Sequence, residues 1–214
     1  MEEQRCREKL IAVTLDLCAR QGYEATTIDQ ITTAAGVASG DFSRYFASKD
    51  AVIISLVDDV LHATAAALAQ VQKDTDPTEA LLIATTEVLT AIFDGRGVMT
   101  RDRMLAMAHI VTSTRDLQKQ ASAIRKQILT QGLAERMRVD PHNRRVQRAV
   151  TMWSAIAAGL YSGRQSMPAG YDPRRDDSLP ERMIARLAET FVDVMGRAPA
   201  TKPDRRGYEG RPDA

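Results

Sequence analysis

Residues 26–49 constrain this chain of 214 residues more than any other stretch, because they prescribe where two helices begin and end. Thr27, with Gln30 three residues later, has the form of a capping box, which predicts the start of the first helix. Gly36 predicts the end of that helix, since glycine enters the left-handed backbone conformation without steric cost. The apolar face between them repeats at helical spacing through Ile28, Ile31, Ala34 and Ala35.

A second helix is predicted directly after the glycine turn. Ser39 opens it, and Phe42 and Phe46, four residues apart, mark its buried side. Val37, inside the turn, is expected to fill the small core between the helices. Two helices that cross over a short turn containing glycine form a helix-turn-helix, and the second helix can enter the major groove of DNA. An ordinary helical hairpin has the same local pattern, so these residues alone leave both interpretations open.

The residues around the motif favour the first interpretation. They are Gly22-Tyr23-x-x-Thr26-Thr27-Ile28-x-x-Ile31-x-x-x-Ala35-Gly36-Val37 and Phe42-x-x-Tyr45-Phe46-x-Ser48-Lys49-Asp50. This pattern resembles the DNA-binding domain of the tetracycline-repressor (TetR) family of bacterial regulators, from about Leu10 to Val52. The rest of the chain resembles the family only in its succession of amphipathic helices.

The resemblance implies which residues contact DNA. The base-reading positions are Ser39, Gly40, Asp41 and Ser43, and the positions that contact backbone phosphate are Thr27, Tyr45 and Lys49. Arg44 is added on chemical grounds, because a guanidinium can reach a phosphate or bind a guanine edge through two hydrogen bonds.

Three positions depart from the family pattern. The family usually has an aromatic residue at Ser43, a small neutral residue at Asp41 and a capping serine at Ala38, whose role Ser39 could take. A carboxylate facing DNA is repelled by phosphate and can only accept a hydrogen bond, for example from a cytosine amino group. Asp41 therefore selects a base, points away from the DNA or weakens binding.

Composition favours an all-α protein of about nine helices. Aromatic residues make up 5% of the chain, and no alternating run of β-branched residues appears. No apolar stretch is expected to span a bilayer and no signal-peptide core follows the charged N-terminus, so we expect a cytoplasmic protein with no membrane partner. Cys6 and Cys18 lie too far apart on one predicted helix to form a disulfide.

The charge of the N-terminal region gives no general support to a nucleic-acid partner. Residues 1–50 contain six cationic and eight anionic side chains, a balance of −2, so there is no broad basic field. DNA affinity must then come from local cations and helix N-termini. The group Arg5, Arg7 and Lys9 either touches phosphate or is a solvated helix end.

The chain is predicted to have three regions. Residues 1–48 form a three-helix helix-turn-helix DNA-binding domain, residues 49–196 a helical ligand-binding and dimerisation domain, and residues 197–214 a disordered tail. The predicted helices cover about 3–21, 27–35, 39–46, 49–70, 77–93, 101–111, 115–138, 142–165 and 179–195. Asp76 and Asp140, each before a proline, and Ser178, in a capping box, are predicted to cap the helices that follow them.

A ligand cavity is expected in the second region. The candidate lining residues are Leu61, Phe93, Met104, Met107, His109, Trp153 and Tyr161. Each of them could equally be an ordinary core residue, because every helical bundle shows apolar stripes at this spacing.

The last two helices carry wide apolar faces. These faces would either form a two-fold dimer interface or complete the core of a single chain, and periodicity does not separate the two. The candidate interface residues are Ala157, Leu160, Ile184, Leu187, Phe191 and Met195.

No catalytic, cofactor or metal site is predicted. The three histidines have no cysteine or acidic partner at metal-ligand spacing, and neither a glycine-rich phosphate loop nor a nucleophile motif is found. The sequence favours a homodimeric transcriptional regulator, most simply a repressor, that binds palindromic double-stranded DNA and releases it when a small apolar effector binds. The alternative is a ligand-binding helical dimer with weak or no specific DNA binding. An enzyme would have no residues to carry catalysis.

Overall fold

The computed structural model describes residues 2–159 and 172–200, which form α-helices and one short 3-10 helix, Pro173–Arg175, with no strand. The α-helices are α1 (Glu2–Gln21), α2 (Ile28–Ala35), α3 (Ser39–Tyr45), α4 (Lys49–Gln70), α5 (Pro77–Phe93), α6 (Arg101–Ser113), α7 (Arg115–Met137), α8 (Arg144–Gly159) and α9 (Leu179–Met195). The predicted all-α fold is confirmed, and the ends of α1 to α7 lie within about two residues of the predicted ones. The predicted continuation of α8 to Gln165 lies outside the described residues.

The first three helices pack around a small core of their own. Leu10, Ile31 and Phe42, one from each helix, are at most 2% exposed. Thr27 forms the predicted capping box at the start of α2, and Gly36 follows the helix with a left-handed backbone (φ 60°). The turn at this glycine directs α3 across α2, so that the buried side of α3 meets the core and its polar side faces outward.

α4 connects the helix-turn-helix to the rest of the chain. Ser48 caps it by accepting a hydrogen bond from the amide of Ala51. The side chains of Val52, Ile53 and Leu56 are at most 2% exposed. The helix packs against α1 and also against α5, α6 and α7, so a movement of α4 affects both regions.

The segment that contains most of α3 and all of α4 corrects the prediction that no stretch could span a bilayer. Residues Gly40–Gln70 are long and apolar enough to do so by length and composition. In the fold, however, Leu56 and Leu68 are buried against neighbouring helices at 2% and 0% exposure, and Asp58 and Asp59 interrupt the apolar run. We therefore interpret the stretch as core helix, because its apolar side chains already have protein neighbours.

α4 and α7 lie side by side in the second region. α5 packs against α4, α8 and α9, and α6 contacts α1, α7 and the short 3-10 helix. α8 and α9 approach each other closely at Gly159, where an added Cβ would lie 2.4 Å from Cγ2 of Thr190. The bundle therefore depends on the absence of a side chain at this crossing.

Two predicted helix caps are wrong. Asp140 forms a turn of its own, and Asn143 caps α8, which begins at Arg144. Ser178 makes no cap hydrogen bond at the start of α9, because its hydroxyl donates to Asp176 at 2.7 Å instead. In both places a neighbouring side chain competes for the turn, and residue spacing does not reveal such competition.

Three predicted dimer-interface residues belong to the core of the single chain. Ala157, Leu187 and Phe191 are at most 4% exposed, since α8, α9 and α5 pack on one another. The prediction that these side chains face a partner is therefore corrected. The other predicted residues are Ile184 and Met195, which are half-buried, and Leu160, which lies outside the described residues.

The chain just beyond α9 lies against α5. Arg197 forms an ion pair with Glu79 at 3.1 Å, and the amide of Ala200 donates to the same carboxylate. The Glu79 residue is only 2% exposed. Defined structure thus continues to residue 200, past the predicted boundary at 196, and residues 201–214 of the predicted disordered tail lie outside the described residues.

Candidate DNA-contacting surface and ligand cavity

The outward side of α3 is the candidate DNA-contacting surface. Gly40, Ser43 and Arg44 are exposed, whereas Phe42 and Phe46 are buried at 2% and 5% exposure. Because the two phenylalanines hold the helix to the domain core, the polar side chains share one outward face, as a helix in the major groove requires. The structure thus places Gly40 and Ser43, two of the predicted base-reading positions, on this exposed face.

Asp41 is paired within its own helix. Its carboxylate lies 3.4 Å from Nη1 of Arg44, and Nη2 of the same guanidinium lies 3.9 Å from Glu3. Exposed ion pairs of this kind contribute only about 0.2–1 kcal/mol, so DNA phosphates can compete for Arg44. In the protein alone, then, Asp41 holds a cation on the α3 surface.

The start of α3 has no side-chain cap. Ala38 occupies the cap position, and Ser39 is the first helical residue. The prediction that Ser39 caps α3 in place of Ala38 is therefore wrong. The Ser39 side chain lies outside the described part of the structure. Within the first turn, the Ser43 hydroxyl donates to the Gly40 carbonyl at 3.0 Å. That hydroxyl can still accept a hydrogen bond from a base.

Lys49 has contacts that the resemblance does not imply. Its ammonium donates to the backbone carbonyls of Tyr23 and Thr26, at 2.5 and 2.7 Å, and lies 4.0 Å from the centre of the Tyr23 ring. Two of its three N–H donors are therefore engaged inside the protein, leaving one for a phosphate. Lys49 ties the α1–α2 loop to the start of α4.

Thr27 and Tyr45 are the other predicted phosphate contacts. Thr27 is exposed, and its hydroxyl accepts from the amide of Gln30, which leaves its own proton for a phosphate oxygen. Tyr45 is half-buried, and a hydrogen bond with Cys6 raises the pKa of Tyr45 above its usual value.

The basic group on α1 is divided. Arg7 lies over the Phe46 ring, with its Cζ 5.3 Å from the ring centre, while Arg5 and Lys9 are exposed. Arg7 therefore supports the packing of α3, and only the other two cations are free of this role.

The sequence analysis did not predict two polar connections between the N-terminal helices and the C-terminal bundle. The Tyr23 hydroxyl donates to Asp50, whose second oxygen accepts from Nε2 of Gln120 at 2.8 Å. Burial, together with the neighbouring Asp50, raises the pKa of Tyr23 well above its usual value. Glu8 of α1 pairs with Arg103 of α6 at 2.6 Å. Gln120 lies 70 residues from Asp50, and Arg103 lies 95 residues from Glu8, so no local sequence pattern reveals either pair.

A cavity of about 70 Å³ lies among α4 to α9. Four of the predicted ligand residues line it: Leu61, Met104, Met107 and Trp153. Tyr161 lies outside the described residues. Sequence reasoning missed Arg125, the one charged side chain on the described cavity wall. It lies one turn from Ala121 and from Leu129, within the stripe that periodicity identifies as buried.

Two predicted ligand residues do not line this cavity. Phe93 lies one turn beyond Leu89, the last residue of α5 on the wall. His109 lies on the other side of α6 and lines a separate small pocket with Leu15 and Pro173. Periodicity identified the helices around the cavity but not which turns of each helix reach it.

Among residues 2–159 and 172–200, no group of three or more His, Cys, Asp and Glu side chains is placed to hold a metal ion.

The N-terminal segment matches a family of known proteins. Residues 10–56 match the family model for bacterial regulatory proteins of the tetR family. Over 92 residues the sequence is 37% identical to the HTH-type transcriptional regulator TcmR of Streptomyces glaucescens. The match covers 43% of this chain and 41% of that relative, so the chain matches less than half of the relative's length.

Solved structures resemble nearly the whole fold. SmeT, the repressor of the Stenotrophomonas maltophilia multidrug efflux pump SmeDEF, gives a TM-score of 0.56 at 15% identity, covering 92% of this chain and 96% of SmeT. A protein from Syntrophomonas wolfei str. Goettingen, assigned to TetR-family transcriptional regulators, gives 0.57 at 17% identity, covering 93% and 100%. At these identities the likeness concerns the fold alone.

Proposed function

From the match of residues 10–56 to the tetR family of bacterial regulatory proteins, we propose that this chain represses transcription as a homodimer bound to palindromic double-stranded DNA. A small molecule bound in the C-terminal domain would release the DNA. On this proposal residues 1–48 bind DNA, residues 49–196 bind the ligand and the second subunit, and the protein acts in the cytoplasm. The observation that carries it is the polar outward face of α3 within the matched segment.

The proposed DNA contacts divide into two kinds. Gly40 and Ser43 lie at the exposed side of α3, where a backbone and a short hydroxyl can approach base edges. Thr27 and Arg44 supply donors to phosphate, which orient the helix but carry little sequence information. Lys49 contributes chiefly by fixing the loop before α2, because two of its donors are already used there.

The homodimer is proposed to form through the outer sides of α8 and α9. Ala155 and Ala185 are exposed there, and Val192 is a large apolar residue with 41% of its surface exposed. Small residues permit close helix approach, and an exposed apolar residue gains stability when a second subunit covers it. A two-fold pair would present its two α3 helices to half-sites about 34–36 Å apart.

Release is proposed to act through α4, which forms one wall of the cavity and continues from the DNA-binding domain. Gln120 on α7 holds Asp50 in the first turn of α4, and Asp50 holds Tyr23 in the loop between α1 and α2. A ligand that separates α4 from α7 would disturb this chain of contacts. It would favour a spacing of the two α3 helices that no longer fits the DNA, by its differential affinity for that state.

The first test is selection of random duplex DNA by the full-length protein, followed by sequencing of the bound pool. An enriched inverted repeat would support the proposal and supply the DNA for affinity measurements. Because phosphate contacts release counterions, affinity for that repeat should fall steeply with added salt. An unenriched pool from folded, dimeric protein would reject specific DNA binding.

A pair of arginine variants tests the role of α3. Arg44 and Arg20 have equally exposed side chains, 62% each, and each pairs with an aspartate of its own helix. Arg44→Gln is expected to weaken binding to the selected DNA about tenfold or more, by the loss of a charged contact. Arg20→Gln, at the end of α1, should leave the affinity unchanged within about twofold. Equal effects of the two substitutions would remove the assigned role of Arg44.

The second candidate is a ligand-binding dimer with weak or no specific DNA binding. The −2 balance of residues 1–50 and the Asp41 carboxylate beside Arg44 favour it. The two candidates differ in the selection experiment, because only the repressor enriches an inverted repeat.

A further inference from the structure

Arg125 interrupts the buried face of α7. Leu117, Ala121, Leu129 and Leu133, one or two turns away on the same side of the helix, are 0–1% exposed. Arg125 itself is half-buried and lines the cavity of about 70 Å³. The other fifteen residues on the described wall of that cavity carry no charge.

The Arg125 guanidinium has no counter-ion in the described parts of the chain. No residue of 2–159 or 172–200 forms an ion pair or a hydrogen bond with it, and the positions one turn away on α7 include no acid. Asp116 and Glu135, the acids of α7 at either end, are engaged by Lys119 and Gln131. The segment 160–171, which follows α8, contains no Asp or Glu in its sequence and so offers no carboxylate.

A cation in an apolar wall is costly unless an anion accompanies it. The planar guanidinium offers two parallel N–H donors that match the two oxygens of a carboxylate, and this pairing strengthens as water is excluded. Lys126, the next residue, is exposed and does not line the cavity. The structure therefore sets one arginine, and not the adjacent lysine, where an anionic group of a bound molecule would lie.

We propose that the cavity binds an apolar monocarboxylic acid, with its hydrocarbon part among the apolar side chains and its carboxylate paired with Arg125. This inference rests on the proposed function, in which the cavity receives the effector. It narrows the effector from any small apolar molecule to one with a single anionic head.

The cavity must enlarge to take such a molecule. About 70 Å³ is small beside the roughly 300–1,000 Å³ of typical ligand pockets. Met104, Met107 and Met183 line the wall, and their unbranched side chains can change conformation at low cost. Enlargement would press on α4 and α7. Gln120, less than two turns from Arg125 on α7, contacts the first turn of α4, so the head group would bind close to the connection between the two regions.

The chain contains its own reporter of occupancy. Trp153 is the only tryptophan in the sequence, and it lines the cavity. Its fluorescence can be titrated with octanoate, dodecanoate and naphthoate, each beside the alcohol of the same carbon skeleton. At least one acid is expected to bind about tenfold or more tightly than its alcohol.

Substitution then assigns the preference to one residue. In Arg125→Met the acid should bind no more tightly than its alcohol, within about twofold, while alcohol binding persists. Arg125→Lys keeps the charge without the planar fork and should retain part of the preference; it also serves if the first variant does not fold. Lys126→Met, which removes an exposed charge one residue away, should behave as the original protein.

Three outcomes would overturn the inference. They are alcohols binding as tightly as every acid, an acid preference that survives in folded Arg125→Met, and no response of Trp153 to any compound. DNA binding is measured separately on the selected repeat. A protein that binds DNA but shows no acid preference contradicts this inference alone, whereas Arg125-dependent acid binding without DNA binding contradicts only the proposed repressor function.

Discussion

The N-terminal and C-terminal regions place their candidate functional residues in opposite ways. Around α2 and α3 the ends of the helices are fixed by the Thr27 capping box and the left-handed Gly36, and the polar residues lie outside a small core. In the bundle of α4 to α9 the candidate site lies inside, on apolar faces interrupted by Arg125. The first surface is therefore set by local backbone devices, and the second by how whole helices pack.

Among these predictions, the loss of Lys49 should lower the stability of the protein most. Its side chain holds the loop between α1 and α2 to the start of α4. In Lys49→Met the carbonyls of Tyr23 and Thr26 lose charged donors at 2.5 and 2.7 Å. Hydrogen bonds to charged groups contribute about 1.5–3 kcal/mol, so we expect the free energy of unfolding to fall by about 2 kcal/mol or more. Urea denaturation measures it, with the exposed Lys126→Met as the control, expected to change by less than about 0.5 kcal/mol. A loss no greater than the control's would show that the tie is dispensable.

Gly159→Ala tests packing in the other region. The new methyl group would lie 2.4 Å from Cγ2 of Thr190 on α9, so the Thr190 side chain or the two helices must shift. Overpacking of this kind costs about 1–3 kcal/mol. Trp153 fluorescence during denaturation reports the bundle directly, since that residue lies on α8. An unchanged midpoint would mean that the Thr190 side chain and the two helices accommodate the methyl group at no cost.

Alanine substitutions at two glycines of the helix-turn-helix should affect stability and DNA binding differently. Gly36→Ala forces a side chain into the left-handed region at φ 60°, which costs about 1–2 kcal/mol. Gly40→Ala meets no atom within 4 Å and should stabilise α3 by up to about 1 kcal/mol. The second variant should nevertheless bind the selected DNA more weakly, because the methyl group occupies the approach side of the helix. Thermal unfolding and anisotropy measure the two effects, and a Gly40→Ala protein with undiminished affinity would argue against close backbone approach.

Gln120→Ala should have the smallest effect on stability and still change the communication between regions. The exposed Gln120 donates to Asp50 at 2.8 Å, so its loss should change unfolding by less than about 1 kcal/mol. The factor by which a bound acid weakens DNA affinity should fall several-fold. Gln131→Ala removes a hydrogen bond within α7 only and should preserve that factor. If ligand binding weakens DNA affinity by the same factor in both variants, the contact between Gln120 and Asp50 does not link the ligand cavity to the DNA-binding domain.

The same difference between local and long-range determinants explains how much of each region could be predicted from the sequence. The helix-turn-helix was predictable because its determinants lie within a few residues of one another, as with Thr27 and Gln30. Its polar face was predictable for the same reason, although the roles of the individual residues stay predictions. The capture of Lys49 by two carbonyls was not, since these lie 23 and 26 residues away in the chain.

In the bundle, periodicity predicted the helices but not their neighbours. Leu187 and Phe191 have the spacing of an interface face, yet α5 and α8 already cover them. Leu61 and Trp153 were placed at the cavity, whereas His109 lies on another side of its helix. Arg125 went unnoticed because a charge inside an apolar stripe is, in sequence alone, the same as a charge at its edge.

Glu79 on α5 binds the segment that follows α9 and so holds that segment against the bundle. Its carboxylate, in a residue 2% exposed, is held by Arg197 and by the amide of Ala200. Arg197 also lies 3.7 Å from Asp76, the cap of α5. A protease cut after residue 196 would remove these partners from a buried charge and loosen the first turn of α5. Any shortened chain or appended tag should therefore preserve the sequence through residue 200.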